Sequence, residues 1–527
     1  MLSQAGKRWR RPRAGRQLEG DGRRVIVVGS GITALVAAAL LAKSGYELLV
    51  LEMHQSVVGG HARTVEIDGL MFCLGPQYVW NFEQGTVGYE VLGFLGLEDE
   101  IHFLPMRSDG FEHVVVGSDT PFDVPMGLNE FREAALSRFS AESAGLRMFF
   151  DYLRDLFAVA RVLHDRGLYL TPGWPMRLGL LSTPLLNPRQ KFIASRMYRW
   201  TLKQLFDHCG FSPRLRRVLF GHAGVFAENE STLSLGVYAA ATGYYHAGAT
   251  YPERGFHALI GALVSVIEAN GGRVLCSKRV TRLRVVHDRV ASVLCSDDTG
   301  YEGDLIISNL SPRRTLGLIQ PSPNGIARYQ PSNSLLTCCI GLRGYQDLEN
   351  LFLGRNFWWQ DGDCEVEFAR PDMSRPPRHL FVSSPSAVGM GGGGSGRADQ
   401  SLIVFAPASY DQAKRAWDRG ESDHDELRTI VSHQVIQAVD QRLLPGLASH
   451  VTFARAFTPM DIEHEVGAER GNVYGRSLAA KHVDLGLGAS GLPENVHLAG
   501  ATIGLPGVAT AFQTARILVE RITGRRL

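Results

Sequence analysis

No stretch of this chain reaches the roughly 18 to 20 apolar residues that a membrane-spanning helix requires, so no spanning segment is expected. Cysteine is sparse and without pattern: Cys73, Cys209, Cys276, Cys295, Cys338, Cys339 and Cys364 contain no C-x-x-C spacing. That excludes a zinc cluster and a dithiol redox pair, and an odd, irregular set suits a reducing compartment. The 17 histidines are spread singly, so no metal constellation is expected; His222, His246 and His257 read as packing or surface residues. Charge of one sign is not in excess either. With 55 basic and 53 acidic residues the net charge is +2, which gives no whole-molecule reason to expect nucleic acid.

What is present is ample apolar material, 45% of 527 residues, enough for two or three domains. The basic residues are uneven. Lys7, Arg8, Arg10, Arg11, Arg13, Arg16, Arg23 and Arg24 crowd the start, and no signal-type apolar run follows them. Residues 1–21 read as a disordered solvated tail, with a weak electrostatic anchor to anionic lipid as the alternative. The expected location is cytoplasmic, with peripheral membrane contact left open.

Residues 25–28 form a short β-branched run, read as a buried strand; a glycine turn, a helix over 34–43 and a second strand over 47–51 complete a βαβ unit. Residues 85–248 read as largely helical, from apolar spacing at 146–163 and 196–205, with Pro172, Pro175, Pro184 and Pro188 marking a loop. A helix over 256–270 stops at Gly271-Gly272. Strands follow at 273–280, 289–295 and 305–309, then helices at 410–417 and 423–443. A strand at 496–499, a glycine-containing loop and a helix at 509–522 close the chain.

Gly29-Ser30-Gly31-Ile32-Thr33-Ala34 is G-x-G-x-x-A between that first strand and helix. The first glycine allows the tight turn, the second lets the backbone approach a pyrophosphate, and Ala34 keeps helix and strand close. The helix N-terminus presents free N–H groups to the phosphates. Glu52, at the end of the second strand, suits ribose hydroxyls and would repel a 2′-phosphate, which argues against NADP. Gly59-Gly60-His61-Ala62-Arg63 then lets a second loop pass the pyrophosphate, with His61 and Arg63 as cationic or hydrogen-bonding groups. An NAD dehydrogenase has no need of that loop, so it points to FAD. Gly389-Met390-Gly391-Gly392-Gly393-Gly394 also fits G-x-G-x-x-G, but no helix follows it, and it reads as a mobile loop.

With these motifs the chain resembles the FAD-dependent amine oxidase superfamily, within it the branch of phytoene desaturases, carotenoid isomerases and retinol saturases. Phe72-Cys73-Leu74-Gly75-Pro76-Gln77 resembles that family's F-D-x-G-P segment, which approaches the flavin ring, with Cys73 in place of the usual Asp. Tyr251 to Phe256 resembles its Y-P-x-G-G entry to a helix, interrupted by Arg254. The strands around Val280 resemble those that meet the adenosine half. Thr458-Pro459 and Gly471-Asn472-Val473-Tyr474-Gly475 resemble the late substrate-domain segment. Gly500, Ala501, Gly504, Pro506, Gly507, Val508 and Ala509 resemble the closing flavin motif, whose helix aims its N-terminus at the flavin's N1–C2 edge. His61 stands where the family has arginine.

The resemblance implies an α/β fold: an FAD-binding Rossmann-type (glutathione-reductase-like) domain with a discontinuous α+β substrate domain. The cofactor domain is expected over 22–84, 250–312 and 490–527, and the substrate domain over 85–249 and 313–489. It further implies two-electron chemistry on C–C or C=C bonds of a long apolar polyene, isoprenoid or acyl substrate: desaturation or double-bond isomerisation, with saturation as the reverse. A flavin amine oxidase and a non-catalytic lipid-binding or escort protein on the same fold are the alternatives. Gln77, Tyr78, Tyr245 and His246 are the substrate-facing candidates, with Trp80 and Tyr244 beside them.

Overall fold

The computed structural model describes residues 22–168, 174–196, 200–321, 325, 327–361, 364–388, 399–483 and 488–527. The basic segment 1–21 and the glycine run 389–394 lie outside the described residues.

Five strands form a parallel sheet in the order Arg273–Leu275, Glu47–Leu51, Arg24–Val28, Leu305–Ser308 and Val496–Leu498. Strands drawn from near the start, the middle and the end of the chain therefore share one hydrogen-bonded ladder. Val25, Ile26, Val27 and Val28 are all buried, as an interior parallel strand covered on both faces must be. The helix Ile32–Lys43 has no residue larger than leucine along its buried Thr33–Ala42 run, and this thin helix packs against both Gly255–Ala269 and Val508–Thr523.

A second sheet of seven strands runs Val451–Phe457, Ser334–Leu342, Gln400–Ala408, His379–Ser383, Asn356–Gln360, Glu112–Val116 and Phe122–Val124. Its pairs are antiparallel except Asn356–Gln360 with Glu112–Val116. Ser334–Leu342 is buried along its whole length. Beside it stand the helices Ser143–Asp165 and Leu235–Gly248, packed on each other. Leu146, Phe149, Phe150, Leu153, Leu156 and Val159 of the first recur at helical spacing and form its buried face. The apolar core is continuous from Val25 in the first sheet, through these helices, to Phe381 in the second.

Several sequence expectations are corrected. Residues 273–280 are not one strand. Arg273–Leu275 joins the parallel sheet, the chain turns at Ser277 (φ 56°), and Val280–Val286 pairs with Arg289–Cys295 in a separate four-stranded sheet. The turn is fixed by Ser277 N–H donating to the His54 carbonyl and Lys278 N–H to that of Glu52. Residues 85–248 are not helical throughout: Phe103–Pro105, Glu112–Val116 and Phe122–Val124 are strands, the second built on a Val-Val-Val run. The proline-rich stretch is not a simple loop but carries the helices Trp174–Ser182 and Pro188–Ala194. Pro188 opens the second of these behind an Asn187/Gln190 capping box, a position where its missing N–H costs nothing. Pro172 lies outside the described residues. In place of a helix over 196–205, Leu202–His208 starts behind the Thr201 cap.

Candidate functional site

A cavity of about 620 Å³ opens where the C-terminal ends of the parallel strands meet the second sheet and its helices. Ligands of open α/β sheets gather at that edge. One end of the cavity is a backbone cradle. Gly29 N–H donates to the Leu51 carbonyl at 2.8 Å and Gly59 N–H to that of Ser30 at 3.0 Å, which draws the two glycine loops together. A Cβ on Gly31 would sit 2.3 Å from Asn309 Nδ2, and one on Gly75 would sit 2.2 Å from the His61 carbonyl oxygen. Side chains at those two positions would fill the cradle.

Two helices point their uncapped N-termini at this cavity. Ile32–Lys43 begins at Gly31, Val508–Thr523 begins at Gly507 (φ 112°), and neither has a side-chain cap or an acidic residue in its first turn. Unclaimed N–H groups and the positive dipole ends favour anionic ligand groups. Polar side chains point the same way. Arg63 Nε, Asn309 Oδ1 and Thr502 Oγ1 are buried without a hydrogen-bond partner, and all three residues line the cavity. Leaving such groups unmet costs free energy, so the cradle is built for a polar ligand. Its donor-rich chemistry fits a pyrophosphate-bearing dinucleotide.

Glu52 is buried, and its Oε2 accepts from Ser30 N at 3.0 Å and Ser30 Oγ at 2.5 Å while Oε1 accepts from His54 N at 2.8 Å. It therefore locks the glycine turn as well as facing the cavity; Oε1, which accepts a single bond, keeps capacity for a ribose hydroxyl. His61 Nε2–H donates to the Asn472 carbonyl at 2.8 Å, and burial lowers its pKa. A neutral His61 offers hydrogen bonding here, which removes the cationic option for this residue. Of the pair, Arg63 carries the charge: it is buried, ion-paired with Glu465, and pulled by desolvation to about 10, still protonated at neutral pH.

Of the residues singled out from sequence, Gly29, Gly31, Glu52, Gly59, Gly60, His61, Arg63, Gly75, Pro76, Val280, Gly500, Ala501, Pro506, Gly507 and Val508 line this one cavity. Ala34 and Ala509 do not; both are buried in helix packing, where small side chains let Ile32–Lys43 and Val508–Thr523 lie close. Cys73 is also off the wall, its thiol on the Ala62 carbonyl at 3.6 Å and its pKa raised by burial to about 12.

The other end is an aromatic chamber. Tyr78, Tyr245, Tyr474, Trp358, Phe381 and Phe405 line it, with Ala240 and Ala241 leaving room opposite. Tyr78 and Tyr245 lie with ring centroids 4.6 Å apart. Trp80 and Tyr244 stack at 4.1 Å and 12°, beside Gly507, and so close the boundary between chamber and cradle. Gln77 lines the cavity while its amide donates to the Cys73 carbonyl at 2.7 Å and that of Gly75 at 3.1 Å, holding the turn. His246 is not on the wall. It is buried against Phe131, rings 4.7 Å apart and 11° from parallel, with its pKa lowered to about 3 by desolvation.

Sequence reasoning missed Ser30, Asn309, Thr502, Glu465 and Glu112. Asn309 carried a readable signal, a polar residue just beyond a buried parallel strand. Glu112 carried none: it opens a short strand that runs on through His113 into three valines, and only the fold brings it to Tyr78. Among the described residues no group of three or more His, Cys, Asp or Glu side chains could hold a metal ion.

A model of the NAD(P)-binding Rossmann-like domain matches residues 27–93. The all-trans-retinol 13,14-reductase of Macaca fascicularis is 26% identical over 543 aligned residues, covering 95% of this chain and 86% of that protein. The lycopene-forming phytoene desaturase of Pseudescherichia vulneris is 24% identical, covering 94% of this chain and 99% of that protein. Among solved structures, putrescine oxidase with bound putrescine superposes with a TM-score of 0.59 at 15% identity, over 95% of this chain and 99% of that one.

Proposed function

We propose, from these likenesses, that this chain is a member of the FAD-dependent amine oxidase and carotenoid desaturase superfamily, binds FAD and acts on C–C or C=C bonds of a long apolar polyene, isoprenoid or acyl substrate. The carrying observation is one continuous cavity, a polar glycine-lined cradle at one end and an aromatic chamber at the other. In this reading 22–84, 250–312 and 490–527 hold the cofactor, and 85–249 and 313–489 enclose the substrate.

FAD, when bound, supplies two-electron exchange. The chain's own residues do the rest. Arg63, the Gly31 and Gly507 helix ends, Asn309 and Thr502 hold the diphosphate and polar ring edges. Glu52 takes the ribose hydroxyls. Trp80, Tyr244 and the chamber aromatics orient an apolar chain and exclude water. The relatives' names describe a reduction in one case and a desaturation in another, opposite directions of one two-electron change. Amine oxidation is disfavoured by charge. Of the wall carboxylates among the described residues, Glu465 and Glu469 are ion-paired with Arg63 and Arg313 and Glu52 is bound to the glycine turn through Ser30, so none belongs to the aromatic chamber where an ammonium group would need a counter-charge.

The substrate source we propose is a lipid surface. Leu178, Leu181, Leu185 and Phe192 are each more than half exposed on and between the helices Trp174–Ser182 and Pro188–Ala194, with Arg189, Lys191 and Arg196 nearby. Both helices rest on Ser143–Asp165, which itself supplies Ala160 and Leu163 to the cavity wall. Apolar side chains flanked by basic ones suit peripheral contact with anionic lipid. No helix of the described residues is long and apolar enough to cross a membrane.

The test is anaerobic incubation of the purified, flavin-loaded chain with phytoene or all-trans-retinol, in the oxidised and the dithionite-reduced state. A polyene-dependent change in visible flavin absorbance with a desaturated, isomerised or saturated product is expected. Turnover of putrescine and of neither polyene would overturn the reading.

A further inference from the structure

Tyr78 is more than a wall residue. Its hydroxyl makes a short hydrogen bond to Glu112 Oε1, a carboxyl 3% exposed at the head of the strand Glu112–Val116. Glu112 itself does not line the cavity; Tyr78 stands between it and the chamber. Tyr78 also sits where chamber meets cradle: it follows Gly75 and Pro76, and Trp80, two residues on, lies beside Gly507. A buried carboxyl whose partner is a cavity-lining hydroxyl is not accounted for by packing. A well-packed apolar pair would stabilise the core at least as well.

We propose that Tyr78 and Glu112 form the proton relay of the reaction, with Tyr78 exchanging a proton with the substrate carbon and Glu112 positioning and recharging Tyr78. This rests on the functional reading above. In the saturating direction, a C=C bond gains a proton from the Tyr78 hydroxyl at one carbon and a hydride from a two-electron flavin donor at the other. With Glu112 protonated, its O–H donates to the Tyr78 oxygen and frees the phenolic proton for the substrate; the Glu112 proton passes across as that proton leaves, so no buried phenolate accumulates, and the carboxylate is reprotonated from solvent. In the desaturating direction every transfer reverses.

The surroundings suit the task. Burial raises the Glu112 pKa to about 7, opposed by the hydrogen bond from Tyr78, so near neutral pH it both gives and takes a proton. Burial and the neighbouring carboxyl hold the Tyr78 hydroxyl well above its usual range, so it transfers a proton only in concert with Glu112. The titratable groups facing Glu112 are Tyr245 and Tyr238 from the helix Leu235–Gly248, and His222, whose Nδ1 is 4.0 Å from Oε2. His222 is held near 4 by burial and is neutral over the working range; His379 and His246, which face it in turn, are held near 3. His113, next on the strand, pairs with Asp123 at 2.7 Å.

The test uses flavin-loaded wild type, Tyr78→Phe, Glu112→Gln and Glu112→Asp. The first readout needs no substrate: the infrared carboxyl band followed from pH 5 to 9. A protonated carboxyl with a midpoint near 7, lost in Glu112→Gln and displaced in Tyr78→Phe, is expected; its absence in wild type overturns the proposal. The second is the single-turnover rate with all-trans-retinol and with phytoene against pH. Both Tyr78→Phe and Glu112→Gln should slow the polyene step by about 10²–10⁴-fold. Their flavin content should be unchanged, and the inflection near 7 should vanish in Glu112→Gln and return in Glu112→Asp. Variants with wild-type rate and pH profile overturn the relay and leave the functional reading standing. A wild type that transforms neither polyene overturns the functional reading, and the relay with it.

Discussion

The two ends of the cavity are encoded in opposite ways. The cradle is written in contiguous motifs, because a diphosphate is held by backbone N–H groups and by glycines that let the chain come close: Gly29, Gly31, Gly59 and Gly60 lie within 32 residues of one another. The chamber is written in single residues. Tyr78, Ala241, Trp358, Phe405 and Tyr474 come from five separate segments and share only the space they enclose. A polar, geometrically demanding ligand fixes backbone conformation and leaves a signature; an apolar one asks only for shape. The cradle should therefore fail through single glycines, and the chamber through bulk.

The largest effect is expected at Gly31. Its Cβ position lies 2.3 Å from Asn309 Nδ2, and the same amide lies 2.9 Å, through Oδ1, from where a Cβ on Gly500 would be, so Asn309 has no free side to retreat to. Gly31→Val should purify without flavin and refuse added FAD, as read by absorbance and flavin fluorescence. Retained flavin would break the distinction between the two ends.

The converse variant is Ala241→Trp, which places an indole in the chamber from a half-buried wall position. Polyene turnover should fall by more than about a hundredfold, as expected when a ligand pocket is filled, while bound flavin stays stoichiometric. Loss of flavin in this variant would mean that the ends are not separable.

These two sites also mark what was legible. The βαβ unit, the glycine loops and the closing helix were readable, because strand, turn and helix each leave a periodic or compositional trace. The neutral state of His61 was not, since it depends on burial in the assembled fold, which outweighs the opposing hydrogen bond to the Asn472 carbonyl more than four hundred residues away. The place of His246 was not, because helix Leu235–Gly248 turns successive residues to different sides: Tyr245 to the cavity, His246 to Phe131. Glu112 was invisible because a carboxylate in a strand reads as solvent-facing until the partner strand and Tyr78 are in place.

A smaller effect is expected at Arg63. Arg63→Met removes a buried cation and its open Nε, and should weaken FAD binding by about 1.5–3 kcal/mol, roughly tenfold to a hundredfold in Kd. Titration of the apoprotein with FAD reads this directly, and the chamber should be untouched.

The smallest effect lies in pH and stability, and it belongs to the chamber side. The folded-state pKa of Glu112 is raised to about 7, so the native state holds that proton more tightly than the unfolded chain does. Its contribution is full below the unfolded value near 4.5 and is lost as pH rises through 7. His222, His246 and His379 run the other way: their pKa values are depressed to between about 3 and 4, so stability falls as pH drops below 6.5. Glu112→Gln should therefore raise Tm by a few degrees at pH 8 and leave it nearly unchanged at pH 5. Equal shifts at both values would contradict a buried, titrating carboxyl.

The central claim is that distant segments of one chain enclose a single FAD molecule. Its most direct measurement is the mass and stoichiometry of the cofactor released when the purified protein is denatured. Stoichiometric FAD, regained when the stripped protein is offered FAD, is the predicted result. A colourless chain that takes up no FAD, or one that retains NAD in its place, would contradict it.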